Sequence, residues 1–253
     1  MVKDSEIKIK TRYSESEISN REKFLELFKT CPIPNNELLL NLGLFIKRQD
    51  LMRILFINDL YKKIINVPGI IVEFGVRWGQ NLVLFESFRG IYEPFNHNRN
   101  IVGFDTFEGF TSIHEKDGKS DTVSIGAYST TKNYEDYLRK ILDYHELESP
   151  ISHIKKYSLI KGNAIVQIEK YLNENPETII ALAYFDFDLY APTKKCLEAI
   201  KTHITKGSVI GFDELNSPIF PGETLALKEI FGLDKYRINR SPYSSTESYI
   251  IIE

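Results

Sequence analysis

The run Thr178-Ile179-Ile180-Ala181-Leu182-Ala183-Tyr184-Phe185-Asp186-Phe187-Asp188 constrains the fold of this chain more than any other stretch. Its apolar residues fall on both alternating faces, so a strand formed here must be covered on both sides. That is the situation of a central strand in a parallel sheet, and parallel neighbours require helical crossovers. The run ends in Asp186 and Asp188, which share one side of the strand if it stays regular. A second run, Gly207-Ser208-Val209-Ile210-Gly211-Phe212, ends in Asp213-Glu214, and Pro192 opens a helix between the two with Leu197, Ala199 and Ile200 on its apolar face. Two neighbouring parallel strands therefore finish in carboxylates at the edge where open α/β sheets bind ligands.

The first half of a βαβ unit lies upstream. After Pro68-Gly69 come Ile70-Ile71-Val72-Glu73-Phe74, then Gly75-Val76-Arg77-Trp78-Gly79, then a helical pattern from Gln80 through Leu82, Leu84, Phe85 and Phe88. Glycines at such a turn let a ligand approach the backbone. The Gly-x-x-x-Gly spacing is not the Gly-x-Gly-x-x-Gly of dinucleotide sites. Glu73 places a carboxylate beside the turn, which repels phosphate and suits a cationic ligand. Asn100 to Asp105 reads as the next strand. Asp105 at its end either accepts both hydroxyls of a ribose or serves as a plain turn residue. Its distance from Gly75 exceeds the usual ~20 residues, and the polar insertion 92–99 accounts for the surplus. Tyr157 to Lys161 reads as the third strand, followed by Asn163, which can cap the next helix, hydrogen-bond an adenine edge, or do both.

Composition closes off some classes. The chain has 253 residues, 42% hydrophobic and 26% charged, with a net charge of −3 and no dense Lys/Arg cluster. It reads as globular, with nucleic acid disfavoured as a partner. Cys31 and Cys196 have no metal-ligand spacing, and no apolar run reaches membrane-spanning length. A cytoplasmic protein without a membrane partner follows. Helices are predicted over 22–29, 36–47 and 49–65, with 1–18 loosely docked. Residues 1–49 read as a helical cap, which either completes the core, forms a lid, or offers apolar faces for a homodimer. Residues 106–132 form a long polar loop of the kind that makes lids and binding loops; its His114 is weighed as catalytic or merely solvated. Near the C-terminus a helix over 223–231 precedes two short strands, 236–239 and 247–252, that form a hairpin.

Carboxylates converging at the strand ends would repel one another. A hard divalent cation held by Asp186, Asp213 and Glu214 would relieve this and, with no His or Cys present, points to Mg²⁺. The bland reading is that these groups cap helices or pair with Lys194 and Lys195.

A parallel sheet begun by Glu-x-Gly-x-x-x-Gly and closed by an antiparallel hairpin resembles the class I S-adenosylmethionine-dependent methyltransferases. The segments 68–76, Gly103-Phe104-Asp105-Thr106-Phe107-Glu108-Gly109-Phe110 and Asp186-Phe187-Asp188-Leu189-Tyr190, with Gly222, Ala226 and Phe231, are similar more narrowly to the macrocin O-methyltransferase family over about residues 50–253. The resemblance implies a doubly wound, mostly parallel seven-stranded α/β sheet over 50–253. It implies Mg²⁺-dependent methylation of a sugar hydroxyl, the acceptor being a sugar or nucleotide sugar. It places Glu73, Gly75, Gly79, Asn81, Asp105, Phe107, Asn163 and Asp186 around the cofactor, with Asp105 on the ribose and Phe107 near the adenine. It makes Asp186, Asp213 and Glu214 the metal ligands; for the chemistry of such a transfer, a nearby carboxylate, Asp186 or Asp188, is the candidate to take the proton. The chain departs from the family pattern at Trp78, at Phe187 where glycine is usual, and at Glu214 where aspartate is usual. Other readings are methylation of nitrogen or of a small phosphorylated alcohol, a nicotinamide-dependent oxidoreductase, and a non-catalytic cofactor-binding partner.

Overall fold

The two apolar runs form adjacent parallel strands. The computed structural model describes residues 13–253. In it β4 (Ile180–Phe185) pairs with β5 (Ile204–Phe212) on one side and with β1 (Ile70–Phe74) on the other. Beyond β1 lie β2 (Ile101–Asp105) and β3 (Tyr157–Lys161), also parallel. β7 (Ser248–Ile251) runs antiparallel to β5, and β6 (Asn239–Arg240) antiparallel to β7, giving the order β3-β2-β1-β4-β5-β7-β6. The expected seven-stranded sheet with its closing hairpin is present. β6 is shorter and later than the predicted 236–239, as suits an edge strand whose pairing ends just before Ser241-Pro242.

Helices cover both faces. α3 (Arg48–Ile64), α4 (Gln80–Tyr92) and α5 (Tyr134–Glu148) pack on one side, while α6 (Ala164–Glu174), α7 (Tyr190–Ile200) and α8 (Gly222–Ile230) pack on the other. The alternation of β1 decides which side chain meets which layer: Ile70, Val72 and Phe74 face α6–α8, whereas Ile71 packs in the α3–α5 layer. Glu73 is thereby directed beneath α4, where it is fully buried.

The N-terminal region differs from expectation. α1 (Glu15–Lys29) starts earlier than predicted because Ser14 and Glu17 form a reciprocal capping box. The predicted 36–47 helix is a single turn, α2 (Asn35–Leu38), followed by a 3-10 segment, Leu39–Phe45, with Asn41 at non-helical φ −111°, ψ 15°. The expectation for residues 1–12 lies outside the described residues. No residue of α1, α2 or the 3-10 segment is buried. Among the described residues no helix is long and apolar enough to cross a membrane.

One row of side chains sets the level of the strand ends. Phe104, Phe74, Phe185 and Phe212 occupy paired positions on four neighbouring strands and stack at centroid distances of 5.3, 4.8 and 5.5 Å. All four are fully buried. The residues that follow them are Asp105, Gly75, Asp186 and Asp213.

A buried carboxyl in α4 makes stability pH-dependent. Glu86 is 1% exposed and neither of its carboxyl oxygens has a hydrogen-bond partner. Burial raises its pKa from 4.5 to about 8, with Arg89 opposing. The folded state holds a proton that the unfolded state releases above 4.5, so stability falls as pH rises from about 4.5 through about 8. Glu86→Gln removes this penalty, on the order of 1–3 kcal/mol. Thermal melts at pH 8.5 are expected to rise by about 3–8 °C over wild type, with little change at pH 5; equal shifts at both pH values would show that the side chain is already ionised in the fold.

Candidate active site

A cavity of about 420 Å³ opens at the carboxyl ends of β1, β2, β4 and β5, within the usual range for small-molecule sites. Its lining includes Gly75, Gly79, Asn81, Asp105, Asn163, Asp186, Asp188, Asp213 and Glu214. Residues far apart in the chain and predicted from separate motifs thus share one chamber.

The glycine turn forms one wall. Gly75 has φ +92°, and a Cβ there would lie 2.1 Å from the carbonyl oxygen of Asp186, so only glycine lets β1 and β4 end this close together. Gly79, at φ +81°, caps α4, and a Cβ there would strike the Leu138 side chain. Asp105 accepts the backbone N–H of Arg77 at 2.7 Å and that of Phe107, which fixes its carboxylate at the cavity edge. Asn163 caps α6 by accepting from the N–H of Ile165 at 3.0 Å and also lines the cavity.

Two predicted cofactor residues stand elsewhere. Glu73 does not line the cavity: it lies beneath α4, where its Oε1 accepts from the Asn81 amide at 2.9 Å and its Oε2 has no partner. Burial raises its pKa well above the usual carboxylate range, which favours its neutral form. Asn81, its Oδ1 unpartnered, is the group that reaches the chamber. Phe107, at φ +60°, turns into the core with Val76, Leu82 and Leu138, away from the lining. From the 106–132 loop it is Phe110 and Tyr128 that line the cavity. That loop is folded against the protein, with Phe110, Ala127, Leu189 and Phe220 packed together. His114 lies outside the lining: its Nδ1 accepts the N–H of Lys116 and its ring packs 5.0 Å from that of Tyr190.

The carboxylate wall holds the largest departure. β4 ends at Phe185, and Asp188 adopts φ +61°, so the two aspartates reach the chamber through a turn instead of a regular strand. Burial and Asp213 raise Asp186 to about 7; burial and Asp186 raise Asp188 well above its usual value. Burial and Asp213 raise Glu214 to about 7. Arg53 of α3 spans the wall, one guanidinium nitrogen donating to Asp186 at 2.9 Å and the other to both Asp213 oxygens at 2.7 and 2.9 Å. Tyr184 adds a hydroxyl donor to Asp213 at 3.0 Å. Arg53 therefore supplies the positive charge expected of magnesium. Among the described residues no three His, Cys, Asp or Glu side chains are grouped to hold a metal ion. Asp186, Asp213 and Glu214 do not fit a metal in this arrangement.

Sequence reasoning also missed Glu223. It is fully buried at the start of α8 and accepts the N–H groups of Phe187, Asp188 and Glu214 at 3.3, 3.3 and 3.1 Å. Both carboxylate-bearing strand ends are tied to one side chain. Gly222 makes this approach feasible, since a Cβ there would lie 2.4 Å from the Tyr190 nitrogen.

No family model matches the sequence, and no curated relative does. Among solved structures the chain is similar to the calicheamicin methyltransferase CalS11, with 40% identity over 95% of this chain and 94% of that one and a TM-score of 0.92. The apo structure of CalS11, described as a TDP-rhamnose 3'-O-methyltransferase of calicheamicin biosynthesis, gives 39% identity, 95% and 96% coverage and a TM-score of 0.82. This chain is a class I S-adenosylmethionine-dependent O-methyltransferase of the macrocin type. The O-methyltransferase NovP, 17% identical over 79% of each chain with a TM-score of 0.56, shares the methyltransferase fold. S-adenosylmethionine fits the chamber of this methyltransferase: the Gly75–Gly79 cradle, Asp105 and Asn81 all border one space of suitable volume.

Proposed function

We propose that this methyltransferase transfers the methyl group of S-adenosylmethionine to a hydroxyl of a sugar acceptor. The observation that carries the reading is the placement of Asp188 and Asp186 in the same chamber as the glycine turn and Asp105, in a chain 40% identical to a protein described as acting on TDP-rhamnose.

S-adenosylmethionine supplies a methyl group on a positively charged sulfur, already activated for transfer to oxygen. Asp105 and Asn163 would hold its ribose and adenine side, and Asn81, set in place by Glu73, would face its methionine side. The enzyme's remaining task is to align an acceptor oxygen and take its proton. Alignment of two bound reactants supplies roughly 7–11 kcal/mol. Asp188 takes the acceptor proton as the O–C bond forms and the C–S bond breaks, its electron pair staying on sulfur. Raised basicity suits Asp188 to this step, because the ionised form of a high-pKa carboxyl binds a proton more tightly than an exposed carboxylate does. Arg53 holds Asp186 and Asp213 in register and compensates their charge. Magnesium, implied by the family resemblance, is given no step, because Arg53 occupies the contacts it would make.

The test is calorimetric titration with S-adenosylhomocysteine. Micromolar binding is expected, weakened about tenfold or more in Asp105→Ala, since a carboxylate accepting hydroxyl hydrogen bonds contributes roughly 1.5–3 kcal/mol. Unchanged affinity in the variant would remove Asp105 from the ribose site, and absence of binding to wild type would overturn the assignment of this chamber to the cofactor.

A further inference from the structure

A second depression, of about 650 Å³, lies between the N-terminal helices and the β6–β7 hairpin. It shares Arg53 and Gln80 with the catalytic chamber, so the two spaces adjoin. Its charged lining consists of Arg21, Lys47, Arg53 and Arg240 against Asp50 and Glu247. Cations thus outnumber carboxylates here, in a chain whose net charge is −3.

The partners of these cations differ. Arg53 is engaged by Asp186 and Asp213, and Lys47 pairs with Asp50 at 3.1 Å with both side chains 42% exposed. Among the described residues, Arg21 and Arg240 hydrogen-bond to neutral acceptors only: Arg21 to the Gln49 side-chain oxygen at 2.9 Å, Arg240 to the Ser244 carbonyl at 3.3 Å. The Arg21 guanidinium also sits over the Tyr13 ring, 3.4 Å from its centroid. Two guanidinium groups, one on α1 and one on the hairpin, therefore face a single groove without a carboxylate hydrogen-bonded to either. Guanidinium forks match phosphate oxygens two at a time.

A sugar whose hydroxyl sits at Asp188 must direct its remaining substituents out of the chamber, and the groove is the adjoining space with cationic walls. We infer that the groove bordered by Arg21, Lys47 and Arg240 binds the diphosphate of a nucleotide-sugar acceptor. The inference rests on the sugar O-methyltransferase reading and adds that methylation takes place while the sugar is still carried on its nucleotide. In reaction order the enzyme then stands after the step that forms a nucleotide-linked sugar and before the glycosyl transfer that consumes it.

The experiment is calorimetric titration of the full chain, wild type and an Arg21→Gln/Arg240→Gln double variant, with S-adenosylhomocysteine, thymidine diphosphate, inorganic pyrophosphate and thymidine. Neither substitution touches the catalytic chamber, and S-adenosylhomocysteine affinity serves as the control for folding. The expected result is equal S-adenosylhomocysteine binding by both proteins, with thymidine diphosphate bound by wild type at least tenfold more tightly than by the variant. Pyrophosphate should show the same dependence at lower affinity, and thymidine alone should bind weakly to both. If S-adenosylhomocysteine binds but thymidine diphosphate does not, or binds both proteins equally, the groove assignment is overturned and the methyltransferase reading stands. If thymidine binds as tightly as its diphosphate, the groove reads a base and the inference is likewise overturned. Failure of S-adenosylhomocysteine to bind wild type would overturn the underlying reading, and the groove assignment with it.

Discussion

Asp188→Asn is expected to reduce the methyl-transfer rate by about 10²–10⁴-fold, the range for loss of a positioned general base, while S-adenosylhomocysteine affinity stays within a few-fold of wild type. Asparagine preserves the shape of the side chain and its place at φ +61°, a region asparagine tolerates. What it removes is the capacity to accept a proton. The pH profile separates this role from a structural one. Burial and Asp213 hold Asp186 above its usual range, and burial and Asp186 hold Asp188 above its own. Wild-type kcat/KM is therefore expected to rise with pH as these clustered carboxyls lose a proton, with an apparent midpoint above the ordinary carboxylate range. The residual activity of Asp188→Asn should lack that rise. A variant that keeps near-normal turnover, or a slow one with an unchanged pH profile, would take the proton-accepting role away from Asp188.

Arg53→Gln is expected to cost about 2–4 kcal/mol of stability and most of the activity. Removing one partner of a buried ion pair leaves an uncompensated charge at a cost of roughly 3–5 kcal/mol. Here the side chains of Arg53, Asp186 and Asp213 retain 28%, 24% and 12% exposure to the chamber, which moderates the loss. For a chain of this length the melting temperature should fall by about 5–10 °C. The same substitution leaves two facing carboxylates without a cation. Millimolar Mg²⁺ is then expected to restore several degrees to Arg53→Gln and less than about a degree to wild type, since a ligand stabilises the fold only as far as it binds it. A comparable Mg²⁺ shift in wild type would mean that Arg53 yields these carboxylates to the metal, and the description of Arg53 as their resident counter-charge would be wrong.

Much of the site was legible because it sits on regular elements. Phe185-Asp186 and Phe212-Asp213 each mark the point where a doubly buried strand meets solvent, and the Gly75–Gly79 spacing marks the turn between β1 and α4. What was illegible depends on contacts between distant segments. Arg53 had one local signal: it stands three and four residues before Phe56 and Ile57, on the stripe continued by Leu60 and Ile64, so a helix with that face inward carries a charge toward the sheet. Glu223 had no such signal, because its role is to accept three backbone N–H groups that the sequence does not distinguish from any others. Glu73 was placed on β1 as expected, but full burial beneath α4 sets it behind Asn81 and outside the cavity lining, a contact between separate elements that the strand alone does not show. Phe107, expected near the adenine, has φ +60° and lies in the core cluster outside the cavity lining.

The stacked row Phe104, Phe74, Phe185, Phe212 separates what can change in this enzyme from what cannot. Because side chains alternate, inserting or deleting one residue in β2, β4 or β5 would present a phenyl ring to the chamber and send a carboxylate into the apolar interior, and in β1 it would displace Gly75 from its close approach to β4. Natural variation in the family should therefore avoid length changes within the strands and collect in the 106–132 loop and the segment before α3, which border the chamber and the adjoining groove without altering the level of the strand ends. New acceptor preferences can be grafted from those segments as interchangeable parts, with the methyl-transfer machinery left as a fixed base plate.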